Sequence, residues 1–183
     1  MSERTDSPLP GDPPREVQVE RMIRVNHAGE YGAKRIYAGQ LAVLGRTPCA
    51  PLLRHMAEQE EAHLATFSRM MAERGVRPTV LMPLWHVAGF VLGAGTALLG
   101  EKAAMACTAA VESVIDEHYA KQEAVLGDDE KELKDTVTKF RADEKEHHDI
   151  ALKEGAEQAP LYDLLTKMIV YKTKVAIWLS TRV

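Results

Sequence analysis

Glu144-x-x-His147, inside the run from Phe140 to Asp149, sets a carboxylate and an imidazole one helical turn apart, where both can reach one metal ion. Upstream the pair recurs. Glu60-x-x-His63 has the same spacing, and both of its members are displaced from their counterparts by one interval (144 − 60 = 84; 147 − 63 = 84). In a chain with 27 Asp and Glu and 7 His, a single such pair reads as a solvated helical face. Two copies in register point instead to a tandem pair of helical hairpins.

Each hairpin should then supply one more inward carboxylate from its first helix, and Glu30 and Glu112 fit (112 − 30 = 82). Facing residues of an antiparallel hairpin lie equally far from the turn between them, and both midpoints fall on turn signals. Gly45-Arg46-Thr47-Pro48 lies between Glu30 and Glu60/His63, and Gly127-Asp128-Asp129 between Glu112 and Glu144/His147. The first reads as Gly ending one helix, Thr47 capping the next and Pro48 in its first turn. At about 1.5 Å rise per residue, the six side chains would sit roughly 24 Å from the turns, deep inside a bundle. Four Glu and two His from four helices resemble the ligand set of ferritin-like di-iron carboxylate proteins. Oxygen-rich ligation with two imidazoles and no thiolate suits iron or manganese better than structural zinc. The expected metal ligands, and with them the catalytic residues, are Glu30, Glu60, His63, Glu112, Glu144 and His147.

The elements that must hold these residues read as helices throughout. They are expected over Val17–Leu44, Pro48–Arg74, Ala103–Leu126, Glu130–Glu154 and Leu161–Leu179, with Gly75 and Gly155 as stops and no strand signal anywhere. The fold class is therefore all-α: a ferritin-like four-helix bundle with a long apolar crossover helix and an additional C-terminal amphipathic helix. Residues 1–16, rich in Pro, Asp, Glu and Ser, are expected to be a disordered tail, and residues 17–183 a single domain. The tail has no apolar core for a secretory signal, and its acids suit a transit peptide poorly.

The crossover run, Thr79 to Leu99, holds no formal charge over 21 residues, long enough to span a bilayer. A lone span between the hairpins would put their ligands on opposite sides of the membrane. The run is therefore expected to lie in the membrane interface or to cover an apolar channel, with a buried core helix as the plain alternative. The last helix mixes Leu164, Met168 and Val175 with Lys167, Lys172, Lys174 and Trp178, a composition suited to an anionic lipid surface and equally to a bundle cap.

Composition narrows the rest. A chain of 183 residues, 45% hydrophobic, can bury a sizeable core, and its net charge of −4 gives no case for nucleic acid. Cys49 and Cys107 lie outside any C-x-x-C spacing, so neither a disulfide framework nor a rubredoxin-type centre is expected, and the chain reads as intracellular and reduced. Around the ligands, Asp143 or Asp116 is a candidate to orient a ligand histidine. Tyr119, seven residues after Glu112, falls near the same face and reads first as a core tyrosine. His118 and His148 point to other faces and are not expected as ligands.

Asn26-His27-Ala28-Gly29-Glu30-Tyr31-Gly32-Ala33, Arg35 to Gln40, Arg77 to Trp85 and Gly93 to Gly100 resemble the demethoxyubiquinone hydroxylase family, the di-iron monooxygenases of ubiquinone biosynthesis. The resemblance runs from about Arg21 to Val183 and puts that family's iron ligands on the same six residues. It implies two iron ions per chain, O2 as co-substrate and hydroxylation of a demethoxyubiquinol ring (2-methoxy-6-polyprenyl-benzoquinol type). It also implies peripheral attachment to an inner membrane, on the cytoplasmic face in a bacterium or the matrix face in a mitochondrion. A lipid-binding accessory protein of the pathway is the implied protein partner. Two electrons per turnover must come from an external reductant, NADH among the candidates, although no G-x-G-x-x-G dinucleotide fingerprint is present. The competing readings are a ferritin-like ferroxidase or peroxide-reducing di-iron protein, and a helical membrane adaptor without enzymatic activity.

Overall fold

The computed structural model describes residues 13–183, which form six α-helices: α1 (Arg15–Leu44), α2 (Ala50–Arg74), α3 (Met82–Leu98), α4 (Glu101–Val125), α5 (Lys131–Lys153) and α6 (Tyr162–Ser180). Short 3-10 turns at Asp128–Glu130 and Ala156–Gln158 complete the path, and no strand occurs among the described residues. The expected tail lies largely outside the described residues, and α1 begins at Arg15, two residues before its expected start. The chain is all-α, with α1/α2 and α4/α5 as the two hairpins of a ferritin-like bundle.

The buried stripes explain why the hairpins close. On α1 it runs Ile23, Asn26, Glu30, Ala33, Tyr37, Gln40 and Leu44, and on α4 it runs Met105, Thr108, Glu112, Ile115, Tyr119 and Gln122, continuing to Leu126 just past the helix end. Each successive step is three or four residues, the spacing that keeps side chains on one helical face. Every α1 position recurs on α4 after 82 residues (105 − 23 = 82; 126 − 44 = 82). Leu53, Met56, Glu60, His63 and Phe67 on α2 recur on α5 after 84 residues as Val137, Phe140, Glu144, His147 and Ala151. Ionisable side chains thus occupy core positions, which is unfavourable unless something compensates them.

The α1–α2 turn departs from the expected capping. Thr47 does not cap α2; its hydroxyl turns back to donate to the Leu44 carbonyl at 3.0 Å. The helix begins at Ala50 with Cys49 in the cap position, and Pro51 rather than Pro48 stands in its first turn.

The apolar run gives a helix of 17 residues rather than 21, because Thr79 accepts the Leu81 N–H at 3.3 Å in a turn that delays the start. No helix among the described residues is long and apolar enough to cross a membrane. Instead α3 lies along α1 at very close range. A Cβ on Gly93 would collide with the Ile36 carbonyl oxygen, and one on Gly39 with the Phe90 carbonyl oxygen. A Cβ on Gly89 would stand 2.9 Å from both Arg35 Cβ and the Gly32 carbonyl oxygen. Small residues let the two backbones meet, as they do between packed membrane helices. Gly100, at φ +112°, then turns the chain into α4 through a conformation that other residues rarely adopt.

On the neighbouring side α6 packs against α4, and Trp85 of α3 donates to Ser180 of α6 at 3.0 Å. Both outer helices keep an apolar face in solvent. Leu84, Val87 and Val91 on α3 and Leu164, Met168, Tyr171 and Trp178 on α6 are all exposed. Between α1, α3, α4 and α6 lies a cavity of about 500 Å³, walled by Gly29, Ile36, Leu92, Val111, Ile115 and Ile177 among others.

Candidate metal centre

All six expected ligands converge at mid-bundle, and each is at most 3% exposed. They form two overlapping groups whose candidate donor atoms lie within 4.8 Å of one another. One group is Glu30, Glu60, His63 and Glu144, and the other is Glu60, Glu112, Glu144 and His147. Glu60 and Glu144 belong to both. The arrangement is that of two adjacent cation positions with two shared carboxylates, each position completed by one Glu and one His of its own.

Both histidines turn Nδ1 inward. His63 Nδ1 lies 3.5 Å from Glu30 and 3.3 Å from Glu144, and His147 Nδ1 lies 3.3 Å from Glu60. Their outer nitrogens are engaged across the bundle: His63 Nε2 with Asp143 at 3.1 Å and His147 Nε2 with Gln59 Oε1 at 2.9 Å. With Nδ1 reserved as a lone-pair donor, each Nε2 carries the proton and donates it. Phe140 stacks on the His63 ring, with 3.8 Å between centroids.

The two terminal carboxylates are braced as well. Tyr119 of α4 donates to Glu30 of α1 in a short hydrogen bond, and Tyr37 of α1 donates to Glu112 of α4 at 2.9 Å. Tyr119 is thus a core tyrosine that also holds a site carboxylate. Of the two acids considered as orienting groups, Asp143 takes that place. Asp116 does not, because Arg141 at 2.8 Å holds it on the surface. His118 bonds to Asn26 at 3.0 Å, and His148 lies away from the centre beside Asp149, as expected of non-ligands. Tyr37 and Gln59 were not anticipated, yet each repeats a spacing already visible. Tyr37 follows Glu30 as Tyr119 follows Glu112, and Gln59 precedes Glu60 as Asp143 precedes Glu144.

The electrostatics follow from burial. Desolvation first, then the charge of Glu144, holds Glu60 and Glu112 well above the ordinary carboxylate range. Desolvation, then Glu30, raises Glu144 to about 8. His147 falls to about 4, through burial and then the neighbouring His63. Burial also pulls on His63, but Glu30 and Asp143 outweigh it and its pKa is raised. A cluster of carboxylates with this affinity for protons has the same appetite for cations. Both oxygens of Glu60 and Glu144, one of Glu112 and the Nδ1 atoms of His63 and His147 are buried without a hydrogen-bond partner. Buried polar atoms are almost always satisfied, so this donor set fits a pair of divalent ions.

Fold and site together define a helical-bundle protein with a buried carboxylate and histidine cluster able to hold two metal ions. Residues 17–180 match the family described as ubiquinone biosynthesis protein COQ7. The chain belongs to this family and is an enzyme of the hydroxylase class. It is 58% identical over 96% of its length, and 83% of the relative's, to the 3-demethoxyubiquinol 3-hydroxylase of Rhodospirillum rubrum. It is 55% identical over 90% of its length, and 77% of the relative's, to the human NADPH-dependent 3-demethoxyubiquinone 3-hydroxylase, mitochondrial. The 5-demethoxyubiquinone hydroxylase, mitochondrial, of Saccharomyces cerevisiae is 43% identical, over 90% of this chain and 78% of its own.

Proposed function

We propose that the chain hydroxylates the ring of a demethoxyubiquinol with dioxygen, using two iron ions held by Glu30, Glu60, His63, Glu112, Glu144 and His147. The observation that carries this reading is the pair of overlapping donor groups sharing Glu60 and Glu144, with an apolar cavity alongside. Two ferrous ions bound there would supply the electrons and the open coordination that activate dioxygen. One oxygen atom goes to the ring and the other leaves as water, so each turnover takes up two electrons and two protons from outside. A nicotinamide nucleotide is the proposed donor, in keeping with the name of the human relative.

The chain's own residues orient, shield and admit. Asp143 and Gln59 fix the ring planes and tautomers of the two histidines, while Tyr119 and Tyr37 fix Glu30 and Glu112. Phe67 and Phe140, with rings edge-on at 5.5 Å, keep water from the His63 side. The cavity wall includes Gly29 and Val111, the direct neighbours of Glu30 and Glu112, so a ring seated there would lie one helix wall from the donors. The polyprenyl tail would extend past the apolar faces of α3 and α6. Those faces are proposed to rest on the membrane that holds the quinol, with Lys167 and Lys172 toward anionic headgroups. A lipid-binding accessory protein of the pathway would present substrate to the same side.

The test is a single-turnover reaction of iron-loaded, reduced protein with a short-chain demethoxyubiquinol under oxygen-18 gas. One labelled oxygen on the ring, lost in Glu144→Ala, is expected. Iron oxidation or peroxide consumption with no labelled product would overturn the reading in favour of a ferroxidase or peroxidase.

A further inference from the structure

The site repeats itself across the two hairpins, residue type for residue type, with one break among the groups that brace it. Glu30 matches Glu112, Glu60 matches Glu144, His63 matches His147 and Tyr37 matches Tyr119. Immediately before the shared glutamate, however, stands Gln59 in one hairpin and Asp143 in the other (143 − 59 = 84). Their geometry is alike. Each accepts the Nε2 hydrogen of the opposite hairpin's histidine, at 2.9 Å from Gln59 and 3.1 Å from Asp143.

Their charge is not alike. Asp143 presents a carboxylate group, with which no Lys or Arg pairs among the described residues; Gln59 offers only an amide dipole. A hydrogen bond to an anionic acceptor is about twice as strong as a neutral one, and it draws the Nε2 proton away from the ring. That withdrawal makes the ring's other nitrogen a better electron-pair donor to a metal.

We propose that Gln59 and Asp143 are positioning residues that make the two metal positions unequal: the one completed by Glu30 and His63 binds a divalent ion more tightly than the one completed by Glu112 and His147. The inference rests on the di-metal reading above. It implies an order of loading, with the Asp143-backed position filling first, and a lasting electronic difference between the two ions.

Cobalt(II) added anaerobically to the metal-free, full-length chain, followed by visible absorption, reads both steps. Two binding events about tenfold or more apart in dissociation constant are expected. Gln59→Glu, the same shape with a full charge, should tighten the weaker step and bring the two together. Gln59→Leu, which keeps volume but accepts no hydrogen bond, should weaken that step alone. A role confined to packing would leave those two variants alike. Asp143→Asn should weaken the tighter step by about tenfold; if that variant misfolds by circular dichroism, the two Gln59 variants decide the matter. In reduced protein loaded with iron-57, two distinct Mössbauer quadrupole doublets should converge in Gln59→Glu. Two cobalt ions bound with equal affinity, or a ratio unmoved by Gln59→Glu, would overturn this inference and leave the di-metal reading standing. A chain that binds no cobalt would overturn both.

Discussion

Tyr37 on α1 donates to Glu112 on α4 at 2.9 Å, while Tyr119 on α4 donates back to Glu30 on α1, so each helix steadies the carboxylate that the other contributes. Removing either hydroxyl takes away the tyrosine hydrogen bond that holds that carboxylate. Tyr37→Phe and Tyr119→Phe should each lower iron affinity by about tenfold while leaving helicity unchanged. Iron retained after dialysis against a graded chelator, beside far-ultraviolet circular dichroism, checks this; full retention in both variants would remove the tyrosines from the site.

The shared and unshared carboxylates should separate on stoichiometry. Glu30→Ala or Glu112→Ala disables one donor group, whereas Glu60→Ala or Glu144→Ala disables both. About one iron per chain is expected for the first two variants and close to none for the others. Equal iron content in all four would refute the sharing.

Metal-free protein should lose stability as pH rises, and metal loading should remove that dependence. Glu144 titrates at about 8 when folded against an ordinary 4.5, and Glu60 and Glu112 are raised as well. Between about 4.5 and 8 the folded metal-free chain thus holds more carboxyl protons than the unfolded chain, and through these groups its stability falls as pH rises. His147 and His118, both lowered to about 4, act in the opposite sense, but only below their ordinary 6.5. Between about 6.5 and 8 the carboxylates, joined by His63 whose raised pKa acts in the same sense, set the slope: Tm of the metal-free chain should drop. The loaded chain should stay nearly flat, because its ions keep those carboxylates unprotonated, as they already are in the unfolded chain in this window. Thermal melts at the two ends of this window, with and without manganese(II), give the slopes; a loaded chain that falls as steeply as the metal-free one would contradict the account.

The α1–α3 crossing should be intolerant of a single methyl. Gly93→Ala is expected to cost about 1–3 kcal/mol through forced separation of the backbones. Gly95→Ala, with nothing within 4 Å of its Cβ, should be neutral or slightly stabilising. Urea midpoints of the two variants, measured side by side, decide it.

Attachment through the outer helices should be separable from the metal centre. Val87 and Trp178, 59% and 55% exposed, take no part in the site or its bracing. Val87→Asp combined with Trp178→Asp should abolish sedimentation with anionic liposomes at unchanged iron content. Undiminished sedimentation would assign the apolar faces to something other than lipid.

What the sequence disclosed depended on repetition. One Glu-x-x-His is ambiguous, but ionisable residues recurring at core spacings in two hairpins are not, since a charged side chain on a buried stripe needs a partner that sequence alone does not show. The helices were legible to within two or three residues for the same periodic reason. The turn before α2 was not, because whether the Thr47 hydroxyl caps forward or bonds backward depends on tertiary approach. Nor was Tyr37: a tyrosine on an apolar face reads as core, and only the crossing of α1 over α4 sets its hydroxyl against Glu112. Asp116 and Asp143 looked equivalent until Arg141 was found to hold the first at the surface.

The crossed bracing also constrains how the chain matures. A ribosome that has released residues up to Leu98 has delivered Glu30, Glu60 and His63, but neither Tyr119, which holds Glu30, nor Asp143, which orients His63. The emerging first half therefore carries half a donor set with nothing to aim it. Only when the later half docks do four helices close on one place, so iron capture should report completed assembly, and a truncated translation product would carry no ferrous iron to react unguarded with oxygen.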